Sequence, residues 1–169
     1  MILQTTRLVL REFNLNDFEA FAHIVADPEV MRFSLFGPMN KEKALQYFQQ
    51  RILGHYHNHG FGLWAIIFEN QAIGFAGLIS QEIDREKKIE LGYRLLPQYW
   101  GKGLATEACQ GILKYAFENC KFKEIISIVE PTNVRSLRVA ERVGMTLWKN
   151  TTYHGTAVGI YRIGPLLPS

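Results

Sequence analysis

Apolar residues along the chain follow two spacings, one typical of strands and one typical of helices. Short apolar runs that end in turn residues predict strands, and the two runs joined by residues 69–71 predict a hairpin. A second hairpin is predicted at the end of the chain, with its turn near His154 and Gly155. Before that last hairpin, a first strand is predicted at Leu8 and Leu10. Four more strands are predicted at residues 62–68, 72–79, 89–96 and 124–129.

Helical spacing marks the segments between these strands. Asn16 and Glu19 have the spacing of a capping box, so a first helix is expected to begin at Asn16. Asn40 is a second residue type that favours the start of a helix. The predicted helices run from Asn16 to Asp27, from Asn40 to about His57, from Leu104 to about Asn119, and from Asn133 to Gly144.

Strands and helices therefore follow one another without a linker, a repeat or a low-complexity segment. The chain has 169 residues, 47% of them hydrophobic, which is enough to bury a core without metal or disulfides. We expect one domain spanning residues 1–169. Its fold class is predicted to be α/β (α+β), with a mixed central sheet of roughly seven strands flanked by helices.

Charge and cysteine content limit which binding partners and which cellular compartment are expected. Lys and Arg number 19 against 16 Asp and Glu, and the resulting net charge of +3 is too small to favour nucleic acid. Neither a signal-peptide pattern nor an apolar run of membrane-spanning length is found, so no membrane partner is expected. Cys109 and Cys120 lie on or just after one predicted helix, which favours reduced thiols in a cytoplasmic protein.

The joint between the strand at residues 89–96 and the following helix carries the clearest chemical signal. Gly101 and Gly103 stand one residue apart at this joint. Glycine lets the backbone turn tightly and approach a ligand, and the free N–H groups of a helix's first turn attract phosphate. The joint is therefore predicted to bind an anion, although an ordinary tight turn is the alternative.

Comparison with known glycine loops distinguishes the possible ligands. A Walker loop requires G-x-x-x-x-G-K-[ST], and Leu104 follows Gly103 where the lysine should stand. The dinucleotide fingerprint G-x-G-x-x-G fails at Thr106, and no βαβ unit precedes it. The acyl-CoA pattern [Q/R]-x-x-G-x-[G/A] is matched in full by Gln98, Gly101 and Gly103.

On these residues the chain resembles the GNAT superfamily of N-acetyltransferases, and most of all its Rim-type branch, which acetylates the N-termini of ribosomal proteins. A second segment, residues 133–145, is similar to the N-x-x-S-x-x-x-x-E-[KR]-x-G-[MF] run of that branch. The opening residues 6–11 also resemble its first strand. The resemblance covers nearly the whole chain, and two motifs in the right order are more specific than either alone.

The resemblance implies a GNAT fold with acetyl-CoA as cosubstrate and an amine as acceptor. It also implies that Asn133 lies near the pantetheine arm and Ser136 near the CoA sulfur, although both could serve only as a helix cap and a surface hydroxyl. Many relatives have a tyrosine in this helix as general acid, which is missing here, so that role passes to Ser136. The expected acetyl-CoA contacts are Leu95, Leu96, Gln98, Tyr99, Trp100, Gly101, Lys102, Gly103, Leu104, Ala105, Thr106, Asn133 and Ser136.

Glu90 is the candidate general base. Strand alternation places it on the same face as Arg94, which leaves a surface ion pair as the alternative. On a central strand covered by helices, however, a carboxylate loses solvent and its pKa rises, so that it can accept a proton from an amine. Relatives often carry an acid at this position.

Other polar and aromatic clusters carry weaker signals. His55, His57 and His59 would align as metal ligands on a strand, but they fall at the end of a predicted helix, so no metal is expected. Phe33 and Phe36 flank a glycine-proline loop that in similar enzymes lines the acceptor groove, and we expect them to contact the acceptor.

The sequence therefore predicts an acyltransferase that moves an acetyl group from acetyl-CoA to a primary amine, with a protein N-terminal α-amine favoured. Direct attack is expected because the sequence offers no activated cysteine and no serine triad. Polyamines, amino acids and amino-antibiotics remain alternative acceptors. A non-catalytic acyl-CoA sensor is the alternative outside enzymes, a dinucleotide-dependent oxidoreductase is a more distant one, and either a monomer or a homodimer is compatible.

Overall fold

The computed structural model describes residues 1–165. Its strands are β1 (Leu3–Gln4), β2 (Val9–Arg11), β3 (Leu63–Phe68), β4 (Gln71–Ile83), β5 (Glu86–Leu95), β6 (Ile125–Val129), β7 (Thr146–Tyr153) and β8 (Thr156–Ile163). They form one eight-stranded sheet of order β1-β2-β3-β4-β5-β6-β8-β7. Neighbouring strands are antiparallel except β5 and β6, which run parallel. The predicted mixed α/β architecture is confirmed.

The eighth strand and the longest hairpin were not predicted. The two-residue strand β1 pairs with β2, and it is too short to give a periodic signal. Strands β4 and β5 continue past the predicted ends and turn at Asp84 and Arg85, which both have positive φ. This extension places Gln81 within β4 and therefore inside the sheet. The extension of β4 was not predicted because polar residues at this end of the strand interrupt the apolar run.

Five α-helical segments cover the sheet within residues 1–165. They are α1 (Phe18–Ala26), α2 (Lys41–Tyr47), α3 (Gly54–His59), α4 (Leu104–Glu118) and α5 (Val134–Arg142). A π-helical segment, Phe48–Leu53, joins α2 to α3 without a break, so residues 41–59 form one continuous rod. None of the described helices is long and apolar enough to cross a bilayer.

Capping explains where these helices begin. Asn40 accepts a hydrogen bond from the Lys43 amide at 2.9 Å, as predicted. The predicted capping box at Asn16 is wrong, because the box forms two residues earlier between Asn14 and Asp17. That box opens a short 3-10 turn, Leu15–Asp17, which leads directly into α1. Asp17 is also held by Arg11 through two hydrogen bonds of 2.7 and 2.9 Å.

The sheet separates two large hydrophobic cores, and a third, smaller cluster is formed by Ile83, Ile126, Val158 and Ile160. On one face α1, α2 and the π-helical segment pack against side chains such as Ala65 and Phe75. On the other face α4 and α5 pack against side chains such as Trp64 and Leu91. Strand alternation sends Glu90 and Arg94 of β5 toward the first face and Tyr93 toward the second. Consecutive residues of β5 therefore direct their side chains to opposite faces of the sheet.

The junction of β5 and β6 is the only parallel pairing in the described sheet, and it is brief. Glu90 opposite Ile126 is its single pair of register partners. Beyond that point β5 continues to Leu95 and β6 continues to Val129, but the two strands no longer pair with each other. The Ser127 hydroxyl donates to the Leu91 carbonyl at 3.3 Å and secures the last point of contact. A gap, called here the β5–β6 gap, therefore opens in the middle of the sheet.

Candidate active site

Two adjoining cavities meet at the β5–β6 gap. The first, of about 210 Å³, is called the inner cavity and lies between the loop at residues 33–36, strand β5 and the β7–β8 hairpin. The second, of about 390 Å³, is called the outer cavity and lies between the glycine loop and α5. The residues that line both are Phe33, Tyr93, Arg94, Asn133, Ser136 and Val139.

The gap exposes one edge of β5. The Leu96 amide donates to the Ile73 carbonyl of β4 at 2.9 Å. In an antiparallel ladder, alternate residues direct both backbone groups to the same neighbour, so the amides of Tyr93 and Leu95 point away from β4. They face the β5–β6 gap, where β6 has separated from β5. Leu96 was also expected to contact acetyl-CoA, and its amide is already used within the sheet.

The glycine loop forms the end of the outer cavity. A 3-10 turn, Pro97–Tyr99, leads to Gly101 and Gly103, and both glycines have φ of 75°. This left-handed conformation is strained for any residue with a Cβ. Gly103 caps α4, and the first helical bond runs from the Glu107 amide to the Gly103 carbonyl at 3.0 Å. The amides between them have no helical acceptor and can bind an anion.

The chain's N-terminal segment fixes this loop from behind. The Glu107 carboxylate accepts hydrogen bonds from the Thr5 hydroxyl, the Arg7 amide and Arg7 Nε, each at 2.7 Å. These bonds lower the pKa of Glu107 despite the opposing effect of its partial burial. Arg7 Nη1 also donates to the Lys102 carbonyl at 3.0 Å. This bond occupies the Lys102 carbonyl and ties the glycine loop to the N-terminal segment.

Cationic side chains form the remaining wall of the outer cavity. Arg135 lies 3.8 Å from the ring centroid of Trp100, and Trp100 Nε1 donates to the Leu95 carbonyl at 2.9 Å. This stack joins α5 to the glycine loop across the opening. Five arginines line the cavity: Arg32, Arg94, Arg135, Arg138 and Arg142. The three on α5 were not predicted as site residues, although their i, i+3, i+7 spacing places them on one helix face.

At the N-terminus of α5, Asn133 and Ser136 lie where both cavities meet. Asn133 Oδ1 accepts from the Ser136 amide at 3.3 Å, which is the predicted cap. The Tyr93 hydroxyl donates to Ser136 Oγ at 3.0 Å. Helix α5 has no tyrosine, and Tyr93 instead reaches Ser136 from β5. Burial raises the pKa of Tyr93, so the phenol keeps its proton and leaves the serine proton free to be donated.

Glu90 lines the inner cavity within a chain of hydrogen bonds. Gln81 Nε2 donates to Glu90 Oε2 at 2.9 Å, and the Tyr153 hydroxyl donates to Gln81 Oε1 at 2.9 Å. Burial raises the pKa of Glu90 to about 7, although the Gln81 hydrogen bond and the charge of Arg94 act in the opposite direction. The alternative of a surface ion pair with Arg94 is wrong, because no such pair within 4.0 Å occurs in the described chain.

The other predicted site residues divide between the cavities and the surface. Phe33 and Phe36 line the inner cavity, and Phe36 lies against Tyr47 with ring centroids 5.6 Å apart. The predicted acetyl-CoA contacts that do not line either cavity are Leu96, which is buried, and Gln98 and Lys102, which are exposed. The predicted contacts that line the outer cavity are Leu95, Tyr99, Trp100, Gly101, Gly103, Leu104, Ala105, Thr106, Asn133 and Ser136.

Histidines lie away from these cavities. His55 Nδ1 is 2.6 Å from the Phe61 carbonyl oxygen, and its Nε2 accepts from the Ser80 amide at 3.3 Å. Both ring nitrogens therefore bind the backbone, and burial lowers the pKa of His55. Residues 1–165 contain no group of three or more His, Cys, Asp and Glu side chains placed to hold a metal ion.

Comparison with known proteins identifies the class to which this arrangement belongs. A model of the acetyltransferase (GNAT) domain family matches residues 7–146. The FsC-acetyl coenzyme A-N(2)-transacetylase of Aspergillus fumigatus is 29% identical over 151 residues, which cover 85% of this chain and 64% of that protein. An acetyltransferase structure from Agrobacterium tumefaciens has a TM-score of 0.81 at 30% identity, covering 96% of this chain and 94% of the other.

The fold also matches more distant acetyltransferases. The structure of RimL, a ribosomal L7/L12 α-N-protein acetyltransferase in complex with coenzyme A, has a TM-score of 0.81 at 21% identity, covering 96% of this chain and 97% of that one. At this identity the likeness concerns the fold alone. The chain belongs to the GNAT acetyltransferase family. It is accordingly an acetyl-CoA-dependent N-acetyltransferase, as the sequence predicted.

We expect Gly103→Val to weaken acetyl-CoA binding strongly, because a β-branched residue cannot adopt φ of 75° without strain and would displace the loop amides. Gly155→Val is the matched control, since Gly155 has φ of 80° but lies in the β7–β8 turn. Calorimetric titration of both variants measures the effect. Equal affinities in the two variants would contradict binding at the glycine loop.

Proposed function

We propose that the enzyme transfers the acetyl group directly to a primary amine that enters through the inner cavity, with Glu90 as general base. The meeting of the two cavities at β5 supports this proposal most strongly. The outer cavity offers amides and cations suited to the phosphates of acetyl-CoA. The inner cavity offers a carboxylate suited to an amine. A thioester in the β5–β6 gap would be accessible from both.

We assign the outer cavity to acetyl-CoA, which supplies an acetyl group activated as a thioester. The loop amides from Gly101 to Leu104 would bind the pyrophosphate, and Arg135 on Trp100 with the other arginines of α5 would bind the remaining phosphate. The free amides of Tyr93 and Leu95 would hydrogen-bond with the pantetheine arm in place of β6. One of these donors would polarise the thioester carbonyl as attack proceeds.

Glu90 would receive the proton of the attacking amine directly or through water. A pKa of about 7 is well matched to this task, because near neutral pH a substantial fraction is ionised and the base is still strong enough to accept a proton. Gln81 and Tyr153 fix the direction of the carboxylate. No cysteine or serine nucleophile is needed, and burial raises the pKa of the Cys109 thiol.

Ser136 would donate its proton to the sulfur of the leaving CoA thiolate. Its oxygen accepts from Tyr93, so its own proton is free to point into the gap. The hydroxyl lines both cavities, which is the position required of a group that acts between acetyl donor and acceptor. Tyr93 acts through Ser136 as a positioning residue.

For the acceptor we favour the α-amine of a peptide, as in the Rim-type branch. RimL, which shares the fold, is named for protein α-N-acetylation. A small-molecule amine is the second candidate, and the limited volume of the inner cavity, about 210 Å³, supports it. The contacts proposed for either acceptor include Phe33 and Phe36, since both rings line that cavity.

We expect Glu90→Gln to lower turnover about 100-fold at neutral pH, because a neutral amide cannot accept the proton. Activity is measured as thiol release from acetyl-CoA with a panel of N-terminal peptides and small amines, followed by a pH series with the best acceptor. In the parent, kcat/KM should rise with pH through about 7. In the variant the rise through about 7 should be absent, and the rate should recover partly at higher pH as the amine deprotonates in solution.

Stability provides the control for this variant. The pKa of Glu90 is higher in the folded protein than its ordinary value of 4.5, so the carboxyl group reduces the free energy of unfolding as pH rises from 4.5 through about 7. At pH 8 Glu90→Gln should therefore melt no lower than the parent. An unchanged pH–rate profile would exclude Glu90 as the base. Thiol release with none of the amines, despite acetyl-CoA binding, would favour an acyl-CoA sensor.

We expect Ser136→Ala to reduce turnover with little change in melting temperature, since its hydroxyl accepts only the Tyr93 bond at the edge of the gap. Ser127→Ala is the matched control, because its buried hydroxyl bonds the Leu91 carbonyl and should instead affect stability. Turnover and thermal melts of both variants distinguish the roles. A lower melting temperature with normal turnover for Ser136→Ala would make Ser136 purely structural.

A further inference from the structure

Arg94 carries a largely desolvated positive charge that has no carboxylate in direct contact among the described residues. Its Nη1 donates to the Val30 carbonyl at 3.3 Å, which is the only hydrogen bond of its guanidinium within residues 1–165. A guanidinium has five N–H donors in a planar fork. No carboxylate of the described chain lies within 4.0 Å of it. Most of its donors therefore remain available to a ligand.

An unpaired buried cation is costly to a fold. Burial lowers the pKa of Arg94, which reflects the loss of solvent around the charged group. A cation in such a place is normally paired with an anion. Glu90 acts on Arg94 only through space, and no carboxylate contacts the guanidinium within residues 1–165, so a closer anion is expected from a bound molecule.

The position of Arg94 indicates which molecule that is. Arg94 and Glu90 lie on the same face of β5, with only Gly92 between them on that face, and both line the inner cavity. A Cβ added to Gly92 would approach only Ile79 Cδ1 at 3.4 Å and Leu63 Cδ2 at 3.8 Å. Opposite charges therefore border one space without pairing with each other. An acceptor with an amine and an anionic group would match both.

The phosphates of acetyl-CoA are a less suitable partner for Arg94. Arg94 also lines the outer cavity, but the glycine-loop amides, Arg32 and the three arginines of α5 already offer donors to phosphates there. Arg94 projects from the strand face that carries Glu90, whereas α4 and α5 cover the opposite face. A planar carboxylate in the inner cavity would receive two parallel N–H bonds from the guanidinium fork.

We propose that Arg94 forms a carboxylate subsite in the acceptor cavity, so that the enzyme selects acceptors bearing a carboxylate close to the reacting amine. This inference rests on the proposed function, because it takes the inner cavity as the acceptor site. Two sources share the required chemistry. One is a free amino acid, and the other is a peptide whose first residues carry an acidic side chain.

The test compares acceptors that differ in the carboxylate, with each kcat/KM referred to the concentration of unprotonated amine. The pairs are an amino acid and its amide, and peptides beginning with Asp and with Asn. We expect the parent to favour the carboxylate member of at least one pair by about 10- to 100-fold in kcat/KM, the range of charge-assisted hydrogen bonds. Arg94→Gln should abolish this preference and leave the KM for acetyl-CoA within about 2-fold of the parent. The preferred pair identifies the source.

Arg32→Gln is the matched control, because Arg32 lines only the outer cavity. It should weaken acetyl-CoA binding and keep the preference for carboxylate acceptors. Equal activity of the parent toward both members of every pair would overturn the proposal. If Arg94→Gln lowered the activity toward both members of a pair equally, Arg94 would support only the fold. If it raised the KM for acetyl-CoA strongly, Arg94 would bind acetyl-CoA. Either result would overturn the proposal.

A binding measurement separates this proposal from the proposed function. Calorimetry with the CoA-loaded protein measures the affinity for the same carboxylates and amides without catalysis. We expect the carboxylate member to bind the parent about 10-fold or more tightly than its amide, and this difference to vanish in Arg94→Gln. Binding with this pattern but no acetyl transfer would contradict only the proposed function. Equal binding of both members would contradict the subsite.

Discussion

The loss of pairing between β5 and β6 is the constraint on which the rest of the site depends. A single pair of register partners, Glu90 and Ile126, holds the two strands together before they separate. An exposed strand edge inside a domain leaves polar backbone groups without partners, which costs free energy unless something binds them. The unpaired amides of Tyr93 and Leu95 thus create a site for an extended polar ligand at the centre of the sheet.

Every other feature of the site is placed relative to this gap. The glycine loop follows directly from the end of β5, and α5 follows from the end of β6. Loop and helix therefore meet across the opening, where Arg135 stacks on Trp100. Because side chains alternate along β5, Tyr93 reaches Ser136 on one face while Glu90 lines the inner cavity on the other. One strand thereby positions base, positioning tyrosine and backbone donors.

The sequence predicted the parts of the site that are formed by neighbouring residues. The glycine loop, the Asn133 cap and the facing of Glu90 and Arg94 depend on short spacings, and the structure bears out their geometry. The hydrogen bonds of Glu90 could not be predicted in this way. Gln81 lies beyond the predicted end of β4, and Tyr153 lies 72 residues further on, so only the folded sheet brings them together.

Backbone hydrogen exchange at β5, followed residue by residue by NMR, tests the central role of the gap most directly. Without ligand, the amides of Tyr93 and Leu95 should exchange quickly, whereas the Leu96 amide, bonded to Ile73, should be protected. Saturating acetyl-CoA should slow exchange at Tyr93 and Leu95. Protection of both amides before ligand is added, or fast exchange at both when acetyl-CoA is saturating, would contradict binding in the gap.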